Sequence, residues 1–145
     1  MALRIALLRW ERARAEAAPI RFKVFVEEQR VPLEIEVDAH DATSIHALAY
    51  AEDGGAIGTG RLLPDGHIGR MAVRKEWRGR GVGAAILGAL IAEARRLGHA
   101  EVALSAQTHA LEFYRRFGFV AEGEVYDDAG IPHQAMRKRL RDAAA

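Results

Sequence analysis

Apolar and polar positions alternate along this chain in a way that marks out its elements before composition is considered. Leu3–Arg9 is a short apolar run and reads as the first strand. Near Ala17–Gln29, Ile20, Val24 and Glu27/Glu28 recur at helical intervals, with Phe22, Phe25 and Val26 on the buried side. A helix is expected there, with Pro19 in its first turn and Pro32 as its stop. Arg30–Ser44 reads as a loop rich in acids: Glu34, Glu36, Asp38 and Asp41. Ile45–Glu52 and Ala56–Leu63 are strands joined by the hairpin turn Asp53-Gly54-Gly55. After a second turn at Pro64-Asp65-Gly66, His67–Arg74 completes a three-stranded antiparallel meander.

Gly81–Leu97 carries the strongest helical pattern. Val82, Ile86, Leu90, Ala94 and Leu97 form one apolar stripe, which Leu87 and Ile91 widen. Arg95 and Arg96 suit its negative end, and Gly98 its stop. The strand Glu101–Ala106 follows, and this strand–helix–strand order implies a right-handed crossover with parallel pairing. Leu111–Phe117 is a short helix stopped by Gly118; Phe119–Tyr126 and Gln134–Leu140 are the last strands, joined by Asp127-Asp128-Ala129-Gly130. The order β-α-β-β-β-α-β-α-β-β predicts an α+β fold. Its central sheet is mixed and mostly antiparallel, of about six or seven strands, with helices on both faces.

Composition narrows the chemistry. With 145 residues, the chain fits one domain over 1–145, fraying only at Arg141–Ala145. It contains no cysteine, which excludes thiol nucleophiles, disulfides and cysteine-ligated metals. A net charge of +1 with both signs dispersed offers no basic face for nucleic acid. No apolar run approaches the ~20 residues of a membrane span, and the first residues lack a signal-peptide core. A cytoplasmic protein that binds neither membrane nor nucleic acid is expected. No His-Glu-x-x-His or comparable spacing is present, so no metal is expected either.

The segment Arg78-Gly79-Arg80-Gly81-Val82-Gly83 lies between a strand and the long helix. Glycines let a backbone approach a ligand closely, and helix N-terminal N–H groups carry partial positive charge. Together they suit a phosphate or pyrophosphate, with Arg78 and Arg80 adding charge. No Gly-Lys-Ser/Thr follows, so this is not a P-loop. Gly79-x-Gly81-x-x-Ala84 fits the loose dinucleotide pattern, but a meander precedes it where that pattern needs the first strand of a parallel repeat.

These residues resemble the GNAT (Gcn5-related) N-acetyltransferase family. Arg78-x-x-Gly81-x-Gly83 is similar to its hallmark, Ile68–Val73 to its fourth strand, and Leu104–Gln107 with Ala110–Phe119 to its second conserved block. Val24–Gln29, Ala106–His109 and Glu124–His133 further resemble the ElaA/YjcF-like branch. The resemblance implies an acetyl-CoA-dependent N-acetyltransferase acting on a small amine or an amino terminus. The backbone of Met71, Ala72 and Val73 would pair with the pantetheine arm. The N–H groups of Arg78, Gly79, Arg80, Gly81, Val82, Gly83 and Ala84 would hold the pyrophosphate, with Gln107 and Phe113 also bordering the coenzyme. An N–H near Met71–Val73 would be the oxyanion donor, and Tyr114 would protonate the departing thiolate. On spacing alone Tyr114 fits a core aromatic beside Phe113 and Phe117 better, and the resemblance reverses that. A non-catalytic acyl-CoA-binding sensor with the same fold is the alternative.

The acceptor side is less defined. An attacking amine must lose a proton, and Gly69 and Arg70 stand where some relatives carry a strand glutamate. Glu27, Glu28, His46, His67, His109 and His133 are the candidates for the base or the acceptor site. The acidic loop could attract a cationic amine, whereas Arg61 and Arg70 could bind an anionic one; the sequence leaves both open. An exposed last strand leaves a homodimer open as well.

Overall fold

The structure is a computed structural model that describes residues 2–36 and 38–141. Residues 142–145 of the expected frayed tail, and position 37 of the acidic loop, lie outside them.

Four strands, β1 (Arg4–Arg9), β2 (Ile45–Tyr50), β3 (Ala56–Leu62) and β4 (Ile68–Val73), form an antiparallel sheet in chain order. A second antiparallel sheet has the order β5 (Glu101–Gln107), β7 (Ile131–Arg139), β6 (Val120–Asp128). One isolated parallel bridge, His67 to Ala103, joins the two, and Ala103 N–H donates to Gly66 O at 3.2 Å. The parallel relation of β4 and β5 is as expected, but the sheet is split: beyond that bridge the two strands part. The mixed α+β architecture otherwise matches the sequence pattern.

Strand periodicity sorts the core into two layers. Ala47 and Ala49 of β2 face α3 (Val82–Arg96), whose Ile86, Leu87 and Leu90 are fully buried; Leu48 and Tyr50 face α1 (Trp10–Arg21) through Ala13, Ala17 and Ile20. Glycine in β3 allows the close contact with α3. A Cβ at Gly60 would stand 2.7 Å from Ile86 Cγ2, closer than packed carbons approach. In the second sheet, Asp128 and Ile131 flank a two-residue turn, Ala129-Gly130, with φ of 53° and 81°. Both signs fit the type I′ hairpin.

The first helix departs from expectation. It begins at Trp10, directly after β1, and ends at Arg21; Phe22–Glu28 continues it as a π-helical stretch, in which Gln29 N–H reaches Val24 O at 3.0 Å. Pro19 therefore sits near the end of α1 rather than in its first turn. The stripe over the first half is made of Ala13 and Ala17, residues too small to register as a hydrophobic pattern. Proline supplies no N–H to the ladder, and the widened turns follow it. The acidic loop is likewise partly ordered, holding α2 (Leu33–Glu36) and a 3-10 turn at Ala39–Thr43.

That segment closes a buried ionic network. Arg21, 1% exposed, donates through Nε to Glu36 Oε1 at 2.5 Å and through Nη1 and Nη2 to Asp41 at 2.8 and 3.0 Å. Arg61 Nη1 bridges Asp38 and Asp41 at 2.8 and 3.0 Å. His46 Nε2 lies 2.9 Å from Asp41 O beneath the Trp10 ring, so that nitrogen carries the proton. Burial holds the His46 pKa below its ordinary 6.5, and the Arg21 and Arg61 charges act the same way. Burial opposes ionisation of Asp38 and Asp41, but the facing arginines outweigh it and hold both below the ordinary 3.8.

The sign of the pH dependence follows. Below pH 6.5 the unfolded chain protonates a histidine that the fold keeps neutral, so stability falls as pH falls through that value. The carboxylates contribute stability that is whole above 3.8 and lost as pH falls through their lower folded values. Urea midpoints measured across this range should fall in two stages, and His46→Gln should remove the first. A midpoint that stays level as pH drops from neutral to about 5 would show that His46 is not the group responsible.

Candidate active site

Where β4 and β5 part, a cleft of about 660 Å³ opens between the two sheets. Met71, Ala72 and Val73 line one wall with the edge of β4 that β3 does not pair; Leu104, Ser105 and Gln107 of β5 line the other.

The turn before α3 has the features of an anion site. Gly79 and Gly81 have φ of +75° and +82°, and a Cβ at either would meet nothing within 4 Å. Backbone conformation, not crowding, selects glycine there. Gly81 caps α3 without a side chain, and Ala85 N–H makes the first helical bond, to Gly81 O at 3.0 Å. The N–H groups of Val82, Gly83 and Ala84 thus precede the helix's own ladder. A Cβ on Gly83 would touch Phe113 and Val73 only at 3.7 and 3.9 Å, so the protein's own packing leaves room for a larger residue. Val82 itself is in the core. Arg78 ties the turn to its surroundings, with Nε on Val73 O at 3.0 Å and Nη2 on Glu28 at 2.6 Å. The Arg80 guanidinium lies over the Trp77 ring at 5.0 Å.

Tyr114, on α4 (Leu111–Arg115), is set edge-on to Phe113 and Phe119 at 5.1 and 6.0 Å. Its hydroxyl meets Met71 Sδ at 4.0 Å, and burial pushes its pKa above the ordinary 10.0. The phenol therefore keeps its proton across the neutral range.

The family model for the acetyltransferase (GNAT) domain matches residues 13–140. The chain belongs to the GNAT acyltransferases. The N-acetyltransferase YjcF of Bacillus subtilis is 40% identical over 128 residues, covering 85% of this chain and 90% of that protein. ElaA of Escherichia coli is 32% identical over 133 residues, 86% of each; its crystal structure superposes with a TM-score of 0.85 over 94% of this chain and 99% of that one. An acyl-CoA N-acyltransferase from Pseudomonas aeruginosa, 33% identical, superposes with a TM-score of 0.84 over the same shares. These relatives set the chain in the ElaA/YjcF-like branch, an enzyme class whose cosubstrate is a coenzyme A thioester. The turn at Gly79–Ala84 fits the pyrophosphate of such a group.

Among the sequence-derived candidates, this GNAT cleft brings together Met71–Val73, Arg78, Gln107, Phe113, Tyr114 and three histidines. His67 pairs through Nδ1 with Asp65 at 3.0 Å and is largely exposed. His109 donates through Nε2 to Gln107 Oε1 at 2.7 Å, while Gln107 Nε2 donates to Gln29 at 2.9 Å. His133 donates through Nδ1 to Ile131 O at 2.7 Å and stacks on Tyr126, whose hydroxyl bonds Ser105. Gly79–Ala84 follow Arg78 in the turn but are not among the lining residues, and the remaining base and acceptor candidates stand apart. Glu27 pairs with Lys23 on an exposed helix face, Glu28 is held by Arg78, and His46 is enclosed in the ionic network. Gln29 and Glu36 were absent from the sequence-derived candidates but line the cleft. A polar residue at a helix end and an acid in an acidic loop carry no distinguishing pattern. Among the described residues no helix is long and apolar enough to cross a membrane.

Proposed function

We propose that this enzyme moves the acetyl group of acetyl-CoA to the amine of a small molecule or an amino terminus by direct attack, with Tyr114 as proton donor and His133 as base. The observation that carries the reading is the placement of these two groups. Both groups line the cleft that opens beyond the His67–Ala103 bridge. Tyr114 meets Met71 from the α3 side, and His133 stands opposite Gln107 in β7. A carbonyl oxygen only accepts, so the Ile131 bond puts the proton of neutral His133 on Nδ1 and leaves the Nε2 lone pair for an amine.

The amine nitrogen bonds the thioester carbonyl carbon and gives one proton to His133 Nε2. A β4 N–H between Met71 and Val73 stabilises the oxyanion. The carbon–sulfur bond then breaks, and Tyr114 protonates the leaving thiolate. The N–H groups from Arg78 to Ala84 hold the pyrophosphate, and Gln107 and Phe113 border the arm.

Free thiol released from acetyl-CoA, measured against a panel of amines, tests this. Release matched by N-acetyl product is expected for at least one amine, and His133→Gln should lower kcat by roughly 10²-fold or more. Thermal stabilisation by acetyl-CoA with no thiol release from any amine would instead favour a non-catalytic sensor.

A further inference from the structure

The wall of the cleft on the α1–α2 side bears on what the acceptor is. We propose that Arg70, with Arg61 beside it, forms an oxyanion subsite, and that the acceptor is a small amine carrying a carboxylate or a phosphate close to its nitrogen. This rests on the acyltransferase reading above and names its substrate class.

The first observation is a bulge. Thr59 pairs with Ala72 and Arg61 with Gly69, so Arg70 and Met71 together oppose Gly60. Ile68 and Met71 both face the α3 core although three residues apart, whereas Ala72 faces α1. The inserted residue is Arg70, with φ of +49°. A left-handed arginine in a strand is strained, and such strain persists only where the surroundings enforce it, commonly at ligand sites.

The surroundings here aim the guanidinium. Arg70 Nε donates to Glu36 O at 3.2 Å and Nη2 to Asp38 Oδ2 at 3.0 Å, with 28% of the side chain open and the residue on the cleft wall. Being next to Met71 in the chain, it lies close to the edge where the carbonyl is attacked. Arg61, 5% exposed, also lines the cleft, and its Nε is buried with no hydrogen-bond partner among the described residues. A ligand oxyanion is an acceptor of the kind that this one Arg61 donor lacks. The Arg70 pKa lies below its ordinary value, first through burial and next through the Arg61 charge; an anion beside it acts in the opposite direction. Glu36, Asp38 and Asp41 each already hold an arginine, which weakens the case for a cationic acceptor drawn to them. Guanidinium groups match carboxylate and phosphate geometry, and Arg70 and His133 both line the cleft.

Matched ligand pairs test the subsite: an α-amino acid against its amide, and O-phosphoethanolamine against ethanolamine. Each is assayed for thermal stabilisation in saturating coenzyme A and for thiol release from acetyl-CoA. The anionic member of at least one pair should stabilise more and react with lower KM, and the pair that responds identifies the oxyanion. Arg70→Gln should shrink that preference by roughly tenfold to a hundredfold, mostly in KM, with Arg70→Lys restoring part of it. Arg70→Gly, which suits the positive φ, serves the same purpose should the glutamine variant misfold. Equal response within both pairs, or a preference that survives loss of Arg70, overturns the subsite while leaving acyl transfer standing. Arg70-dependent stabilisation by the anionic ligand without thiol release supports the subsite and counts against acyl transfer.

Discussion

Tyr114→Phe should lower kcat by roughly 10²–10⁴-fold while leaving acetyl-CoA affinity and stability nearly unchanged. The expectation rests on how little else the hydroxyl does. Its ring supplies the contacts to Phe113 and Phe119, and phenylalanine keeps them. Among the described residues its oxygen meets only a thioether sulfur, at 4.0 Å, a weak acceptor that is not orphaned when the hydroxyl goes. A structural tyrosine would give the reverse outcome, with stability lost and turnover retained. Burial raises its pKa, so the phenol stays protonated throughout the working range and adds no limb of its own to the neutral pH profile. Rapid-quench measurement of a single turnover isolates the chemical step. An unchanged rate there would remove Tyr114 from the mechanism.

The largest loss of stability should come from Arg21→Ala, about 3–5 kcal/mol, or a Tm drop of about 10 °C or more. Its guanidinium holds Glu36 and Asp41, both buried, with three nitrogens placed for two acids. Removing it leaves Asp41 with Arg61 and takes from Glu36 its one ion pair among the described residues, at a depth where unpaired charge is costly. Arg21→Lys should recover only part of the loss, since an ammonium cannot reproduce the planar fork. Calorimetry on the three proteins measures this. A drop of less than about 1 kcal/mol for the alanine variant would place the network among those that contribute nothing net.

What was legible in the sequence was local. The α3 stripe, the meander turns and the glycines before α3 each lie within one short window, so periodicity and turn chemistry report them. The first helix was half missed because its buried face is alanine, and the π-helical turns have no separate signature. The split between β4 and β5 depends on where two strands separated by a whole helix stop pairing. The ionic network was hidden for a related reason: acids that look like a solvated loop meet arginines 15, 23 and 32 residues away. Glu28 fits a base by position, but its partner, Arg78, is 50 residues along the chain. Spacing named His46 and His133 equally, and only the fold encloses one and leaves the other on the cleft wall.

The single bridge between the sheets has a consequence for solubility. An open sheet edge is a template on which another chain can add a strand, and proteins usually blunt it with charge, proline or a covering element. Here the unpaired edge of β4 and the opposing edge of β5 look inward at each other, too far apart to zip beyond His67 and Ala103. Backbone groups kept for a ligand are by the same arrangement kept from neighbouring molecules. The edges that do face outward, β1 and β6, carry arginines and a run of acids: Arg4 and Arg9 on one, Glu122, Glu124, Asp127 and Asp128 on the other.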